Sequence, residues 1–255
     1  MFPIMTTVAT RYAPFVTWSL IVINTFVFLG EVSLPENAQQ AFVQQYALIP
    51  ARYYIPQWAA EHGLGSCYYL PFISNVFMHG GWLHLIMNMW TLLIFGPAVE
   101  DRLGGTRFLV FYLFCGIGAS AAHAYVNATS LIPALGASGA IAGVMGAYLR
   151  LFPLSRMLVM IPIFIFPFFF EMHAAIFIGI WVAIQLAQGI GGLMSGMVDL
   201  SGGIAWWAHI GGFAAGWFAI SFIRHGMHLY RVYHRDEGIL GFLPNGQRTG
   251  KGPWT

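Results

Sequence analysis

A chain of 255 residues with 58% hydrophobic and 8% charged side chains falls far below the roughly one quarter of charged residues usual in a soluble domain. That balance excludes an ordinary water-soluble enzyme and fits a chain built for lipid. The formal net charge of +2 comes from basic residues scattered between apolar runs, which excludes a nucleic-acid-binding face.

A membrane span needs about 20 largely apolar residues to cross a hydrocarbon core of about 30 Å. In chain order, spans are predicted at about 14 to 31, 80 to 99, 107 to 126, 138 to 152, 172 to 190 and 205 to 224. The stretch before Pro14 carries a single charge, Arg11, and has neither a cleavage signature nor an Arg-rich presequence, so the first span is expected to stay as an anchor. Val32 to His79 is a long connection rich in Tyr, Trp and Pro, a composition that suits the membrane interface. Cys67 in that connection and Cys115 inside an apolar run show neither metal spacing nor a disulfide framework. The fourth span is short for a full crossing. The apolar segment from Met157 to Phe170 is broken by Pro162 and Pro167 and is expected to be re-entrant or interfacial rather than a seventh span. After Arg224 the tail is broken by Gly246, Gly250, Gly252 and Pro253 and is expected to be flexible and non-catalytic.

With six spans, Arg11, Arg102, Arg107, Arg150, Arg156, Arg224, Arg231, Arg235, Arg248 and Lys251 fall on one side and Arg52 alone on the other. The positive-inside rule then puts both termini in the cytoplasm. The expectation is an all-α membrane protein with a cytoplasmic N-terminus over 1–13, a six-helix bundle over 14–224 and a cytoplasmic tail over 225–255. The membrane expected is a bacterial inner membrane, with the chemistry toward its extracytoplasmic side.

Gly136-Ala137-Ser138-Gly139 lies where the third outer loop turns into the fourth helix, and unpaired backbone N–H groups there can stabilise an oxyanion. From this motif alone a capping serine is the simpler reading. In the sixth helix His209 lies about one turn in from the outer end, where an imidazole needs a partner. His209, Gly212 and Gly216 share one helix face, as do Ser138, Ala142 and Gly146, with Gly139 beside them. Small-residue stripes let membrane helices approach closely. Aligned level by level, Ser138 meets His209, Ala142 meets Gly212 and Gly146 meets Gly216, which brings hydroxyl and imidazole within reach for proton transfer.

The second helix adds His79-Gly80-Gly81-Trp82-Leu83-His84 and, one turn on, Asn88. Asn88 and His84 are candidate oxyanion donors, and equally candidates for hydrogen bonds to neighbouring helices or the outer loop. No acid lies within a span near this level: Asp199 is in an outer loop and Glu171 at the cytoplasmic end of the fifth span. A dyad is therefore expected rather than a triad. The sequence has no H-E-x-x-H and no pair of intramembrane aspartates, and no carboxylate or thiolate is spaced to join His84, His123 and His209 around a metal.

In these motifs, together with Leu103-Gly104-Gly105 in the turn after the second span, the chain resembles the rhomboid family of intramembrane serine proteases from about Ala47 to Arg224. The resemblance implies a six-helix rhomboid-like bundle in which Ser138 and His209 form the dyad, while His84, Asn88 and the Ser138 amide line the oxyanion site. It implies transmembrane protein substrates cut within or beside a membrane segment, in a lipid bilayer, with no cofactor, no metal and no nucleic acid. Two departures stand out. The position four after the serine, where some members carry an aromatic that packs on the imidazole, is Ala142, and the Trp-Arg pair of some members' first outer loop is not found, Arg52-Tyr53 lying near that region without being the same motif. The rival readings are a non-catalytic relative that escorts membrane proteins and a small transporter with a histidine relay.

Overall fold

The computed structural model describes residues 1–65, 67–195 and 205–223. The expectations for Asp199 and for the tail over 225–255 lie outside them. In chain order the elements are strand β1 (Phe2–Thr6), helix α1 (Phe15–Val32), four short helices in the long connection, then α6 (Trp82–Leu103), α7 (Gly105–Val126), α8 (Ser138–Leu151), β2 (Arg156–Ile163), β3 (Phe166–His173), α9 (Ala174–Ser195) and α10 (Trp206–Ile223). The short helices are α2 (Glu36–Tyr46), α3 (Ala51–Tyr54), α4 (Pro56–Glu61) and α5 (Pro71–Ser74), followed by a 3-10 turn at Asn75–Phe77.

Among the described residues four helices are long and apolar enough to cross a membrane: Phe15–Val32, Trp82–Leu103, Gly105–Val126 and Ala174–Met194. Their outer faces carry large exposed apolar side chains, among them Phe114 and Ile117 on α7 and Ile176 and Ile184 on α9, as lipid contact requires. The α8 helix is different. Its 14 residues rise only about 21 Å, and every residue from Gly139 to Tyr148 is buried. A helix apolar all round belongs at the centre of its neighbours, and α8 packs against α6, α7 and α10.

The start of α1 has no side-chain cap of its own, since Pro14 precedes it. Glu100, near the end of α6, supplies the missing acceptors, and Asp101 beside it holds the segment before α1. Glu100 accepts from the backbone N–H groups of Val16 at 2.8 Å and Thr17 at 2.7 Å and from the Thr17 hydroxyl at 2.6 Å. Asp101 accepts from the N–H groups of Arg11 at 2.8 Å and Tyr12 at 2.9 Å. Carboxylates at a helix N-terminus also oppose its dipole, so this contact sets the level of α1 against α6. Gly104, at φ +77°, lets α6 turn into α7 with a single residue between them.

The sheet corrects the all-α expectation. The apolar segment around Pro162 and Pro167, expected to be re-entrant or interfacial rather than a seventh span, forms the hairpin β2–β3, and β1, within the expected N-terminal extension, adds to β2 to give the order β1-β2-β3. The prolines are compatible with this because they face each other near the hairpin tip, past the last β1 pairing at Phe2↔Met160. There Pro162 has β3 on one side only, so its missing N–H breaks no ladder on the other. Met157 and Val159 are fully buried while Phe164, Ile165 and Phe166 at the tip are exposed. Glu171, expected at the cytoplasmic end of the fifth span, lies in β3, 3.9 Å from Arg156.

The long connection is ordered by Arg52, which is only 2% exposed. Its Nε donates to the Gly65 carbonyl at 3.0 Å, and its guanidinium lies 4.9 Å from the Tyr68 ring centroid. The neighbouring Tyr53 donates its hydroxyl to the Tyr68 carbonyl at 3.0 Å.

Candidate active site

The loop before α8 dips into the bundle and is fixed by backbone bonds. Leu48 and Ala134 exchange them at 3.0 and 2.8 Å, and the Gly136 N–H donates to the Asn75 carbonyl at 2.9 Å. Gly136 sits at φ +128°, where only glycine is comfortable, and a Cβ on it would lie 2.7 Å from the His84 ring and 3.6 Å from Asn88 Nδ2. His84 and Asn88 of α6 are thus brought directly against the loop that leads to Ser138.

Ser138 opens α8, but Ala137 is the capping residue and no side chain caps this end. The capping reading of Ser138 is therefore set aside by its geometry. The Ser138 Oγ lies 2.8 Å from His209 Nε2, across the junction of α8 and α10. The N–H groups of the first helical turn beside it have no intrahelical acceptors.

The two helices meet through glycine, though at positions of α8 three residues before those expected. A Cβ at Gly212 would strike the Gly139 carbonyl, one at Gly216 the Gly143 carbonyl, and one at Gly146 the Phe213 carbonyl. Gly212 therefore lies against Gly139 rather than Ala142, and Gly216 against Gly143 rather than Gly146. Ala142 is fully buried. Gly143 and the small residues of α7 were not anticipated: a Cβ at Gly139 would press on Ala119, and one at Gly211 on Ala122. Backbone-to-backbone packing of this kind fixes the height of His209 relative to Ser138.

Around the imidazole the structure adds residues that motif reading missed. Gln185 Oε1 of α9 lies 2.6 Å from His209 Nδ1, on the side of the ring opposite Ser138. The Trp181 ring centroid lies 5.8 Å from that of His209 at a tilt of 38°, and the Trp206 ring stands nearly perpendicular to the imidazole with its centroid 6.3 Å away. Trp181 thus takes up the aromatic contact that Ala142 cannot make. A signal for both was present in the sequence, because Trp181 and Gln185 stand four apart on the face of α9 that includes the buried Ala174, Phe177 and Ile178.

Asn88 is buried, and its Nδ2 has no hydrogen-bond partner among the described residues. An amide donor left open in this way is suited to an oxygen that arrives later. His79, just before α6, is 1% exposed and lies 5.2 Å from the His84 ring in an edge contact. Burial, reinforced by the neighbouring His84, pushes the His79 imidazole down to about 3. Beside Ser138, which helps to line it, is a cavity of about 20 Å³ whose other polar side chains are Asn75, Ser120 and His123. That is room for one water by the usual requirement of roughly 10–15 Å³. Asn75 Nδ2 donates to the Ser120 hydroxyl at 2.9 Å, and Asn127 Nδ2 contacts His123 Nδ1 at 3.3 Å. Among the described residues no three His, Cys, Asp or Glu side chains converge as a metal set would.

A family model described as the Rhomboid domain matches residues 66–226, more than half of the chain. Rhomboid protein 1, mitochondrial, of Saccharomyces cerevisiae is 30% identical over 154 residues, covering 59% of the chain and 39% of that protein. RHOMBOID-like protein 4 of Arabidopsis thaliana is 31% identical over 151 residues, covering 59% and 33%. RHOMBOID-like protein 6, mitochondrial, of the same plant is 40% identical over 77 residues, covering 30% and 24%. In each case the chain spans well under half of the relative's length.

Proposed function

Because the chain belongs to the rhomboid family, we propose that it is an intramembrane serine endopeptidase in which Ser138 is the nucleophile and His209 the general base. It is an integral, multi-pass membrane protein. The single observation that carries the catalytic reading is the 2.8 Å approach of Ser138 Oγ to His209 Nε2, which is hydrogen-bonding distance for a proton in transit.

In this reading His209 Nε2 takes the Ser138 proton as Oγ attacks a substrate carbonyl carbon. The carbonyl oxygen becomes an oxyanion held by the Ser138 N–H, the open Nδ2 of Asn88 and His84. His209 returns the proton to the departing amine as the C–N bond breaks, which leaves an acyl ester on Ser138. A water, for which the cavity beside Ser138 has room, then gives its proton to His209 and attacks the ester. The acid product leaves and the Ser138 hydroxyl is restored.

The substrates are membrane proteins whose helices unwind at the cut, since a helical carbonyl is already hydrogen-bonded. Segments with Gly, Ala or Pro near the scissile bond are favoured for that reason. The six-span bundle with cytoplasmic termini belongs to the same proposal. It counts α8 and α10 as spans beside the four long helices, and the gathering of Arg11, Arg102, Arg107, Arg150 and Arg156 at one end supports it. Relatives named as mitochondrial and plant proteins lend no support to a bacterial inner membrane in particular.

Labelling of the native protein by a serine-directed phosphonate, lost in Ser138→Ala, is the expected result. A native protein that resists the probe, or a Ser138→Ala variant that still takes it, sinks the reading in favour of the escort or transporter alternatives.

A further inference from the structure

A serine–histidine dyad requires the imidazole to present a bare Nε2 to the hydroxyl, which means that the ring proton must reside on Nδ1. Nothing in Ser138 enforces this, because a hydroxyl donates and accepts with equal ease. Resting on the dyad reading above, we propose that Gln185 is the positioning residue for His209, holding the Nδ1 proton with its side-chain carbonyl and so aiming the lone pair of Nε2 at Ser138.

Three observations carry this. Gln185 Oε1 lies 2.6 Å from His209 Nδ1, while Nε2 of the same ring lies 2.8 Å from Ser138 Oγ, so one imidazole is gripped at both nitrogens by different helices. Gln185 is 5% exposed, on the inward face of a helix that otherwise turns Phe177, Ile178 and Trp181 inward. An amide buried among apolar groups is costly unless it is hydrogen-bonded, and His209 provides the bond. Trp181, one turn before Gln185 on α9, also lies against the ring, so α9 governs both the plane of the imidazole and its tautomer.

The choice of an amide over a carboxylate follows from the surroundings. A carboxylate would attract the imidazolium that forms during proton transfer, but an ion buried there is heavily penalised by desolvation. A neutral amide orients the ring at far smaller cost and gives up that charge stabilisation. Turning the amide over would place its NH2 against Nδ1, force the proton onto Nε2 and leave the base unable to act. The productive arrangement has the carbonyl of Gln185 on Nδ1–H.

The test measures the 15N shifts of His209 in the full-length protein in detergent or bicelles, together with cleavage kinetics for wild type, Gln185→Leu and Gln185→Glu. The wild type is expected to show Nδ1 protonated and Nε2 bare. Gln185→Leu, which keeps the bulk and removes the acceptor, is expected to mix the two tautomers and lower kcat by about 10- to 100-fold with little change in KM. Gln185→Glu, which retains an acceptor oxygen, should restore the wild-type tautomer and most of kcat. A wild-type ring protonated on Nε2, or a Leu variant with unchanged tautomer and kcat, overturns the proposal. Absence of cleavage and of phosphonate labelling in the wild type would defeat the protease reading instead, and the tautomer measurement would still decide the role of Gln185.

Discussion

Asn88 holds a buried amide beside Gly136 with Nδ2 unsatisfied, an arrangement that contributes nothing to the folded state through that bond. Truncating it removes no hydrogen bond made by Nδ2 among the described residues but does remove the donor proposed for the developing oxyanion. Asn88→Ala is expected to leave the melting midpoint unchanged and to lower kcat by about 10²- to 10³-fold. Peptide cleavage measured beside a thermal melt separates the two effects, and a variant that loses stability while keeping kcat would make Asn88 a structural residue. His79 gives the opposite pattern. It is held down to about 3 in the folded protein, first by burial and then by His84, whereas in an unfolded chain it protonates near the usual value of about 6.5. The unfolded state therefore binds more protons between those values, so His79 makes stability fall as the pH drops below about 6.5 toward 3. His79→Asn should flatten that acid arm. Melting midpoints at neutral and mildly acidic pH that differ as much in the variant as in the wild type would refute it.

Among the elements, α8 and α10 depend on glycine at positions where a side chain would meet backbone, which cannot swing away. Gly216→Val places atoms against the Gly143 carbonyl and is expected to destabilise the fold by about 1–3 kcal/mol and to separate His209 from Ser138. Gly30→Ala on α1, where nothing lies within 4 Å of the added Cβ, is the control. Equal melting midpoints for the two variants would show that the close approach is not essential. The stripes that pointed to Ser138 and His209 were legible because small residues at spacings of three and four have few other uses in a span. Their register was not legible, since Gly139, Gly143 and Gly146 offer several near-equivalent ways to dock and only the packing on α7 decides among them. The hairpin escaped for a related reason. Pro162 and Pro167 break a helix, and sequence alone does not show that Phe2–Thr6, about 150 residues earlier, will pair with the strand that runs up to Pro162. Gln185 escaped because a partner for His209 was sought among acids, and an amide carries no charge to draw notice.

At the scale of the whole molecule, charge and burial divide the protein into two ends. Glu100 and Asp101 bind the start of α1 at one end, where Arg11, Arg102 and Arg107 also gather. At the other, Arg52 stood apart in the positive-inside count. It is not a free surface charge but the buried clamp of the long connection, and so it does not weaken the topology that the other arginines favour. The spans of α1, α6, α7 and α9 were legible from hydropathy, because each has a face that must satisfy lipid by itself.

The α8 helix has no such face. With Gly139, Gly143 and Gly146 on its sides, Arg150 near its end and about 21 Å of length, it is poorly equipped to leave a translocation channel for the bilayer on its own. On the proposed topology its entry waits until other helices have made a place for it, so the segment that bears the proposed nucleophile is a late arrival during synthesis. Fused alone to a glycosylation reporter, Ser138–Leu151 is expected to fail to integrate, and within the full chain to do so. A dyad completed only when α10 has followed α8 into the membrane would hold a growing chain inert until its bundle has closed.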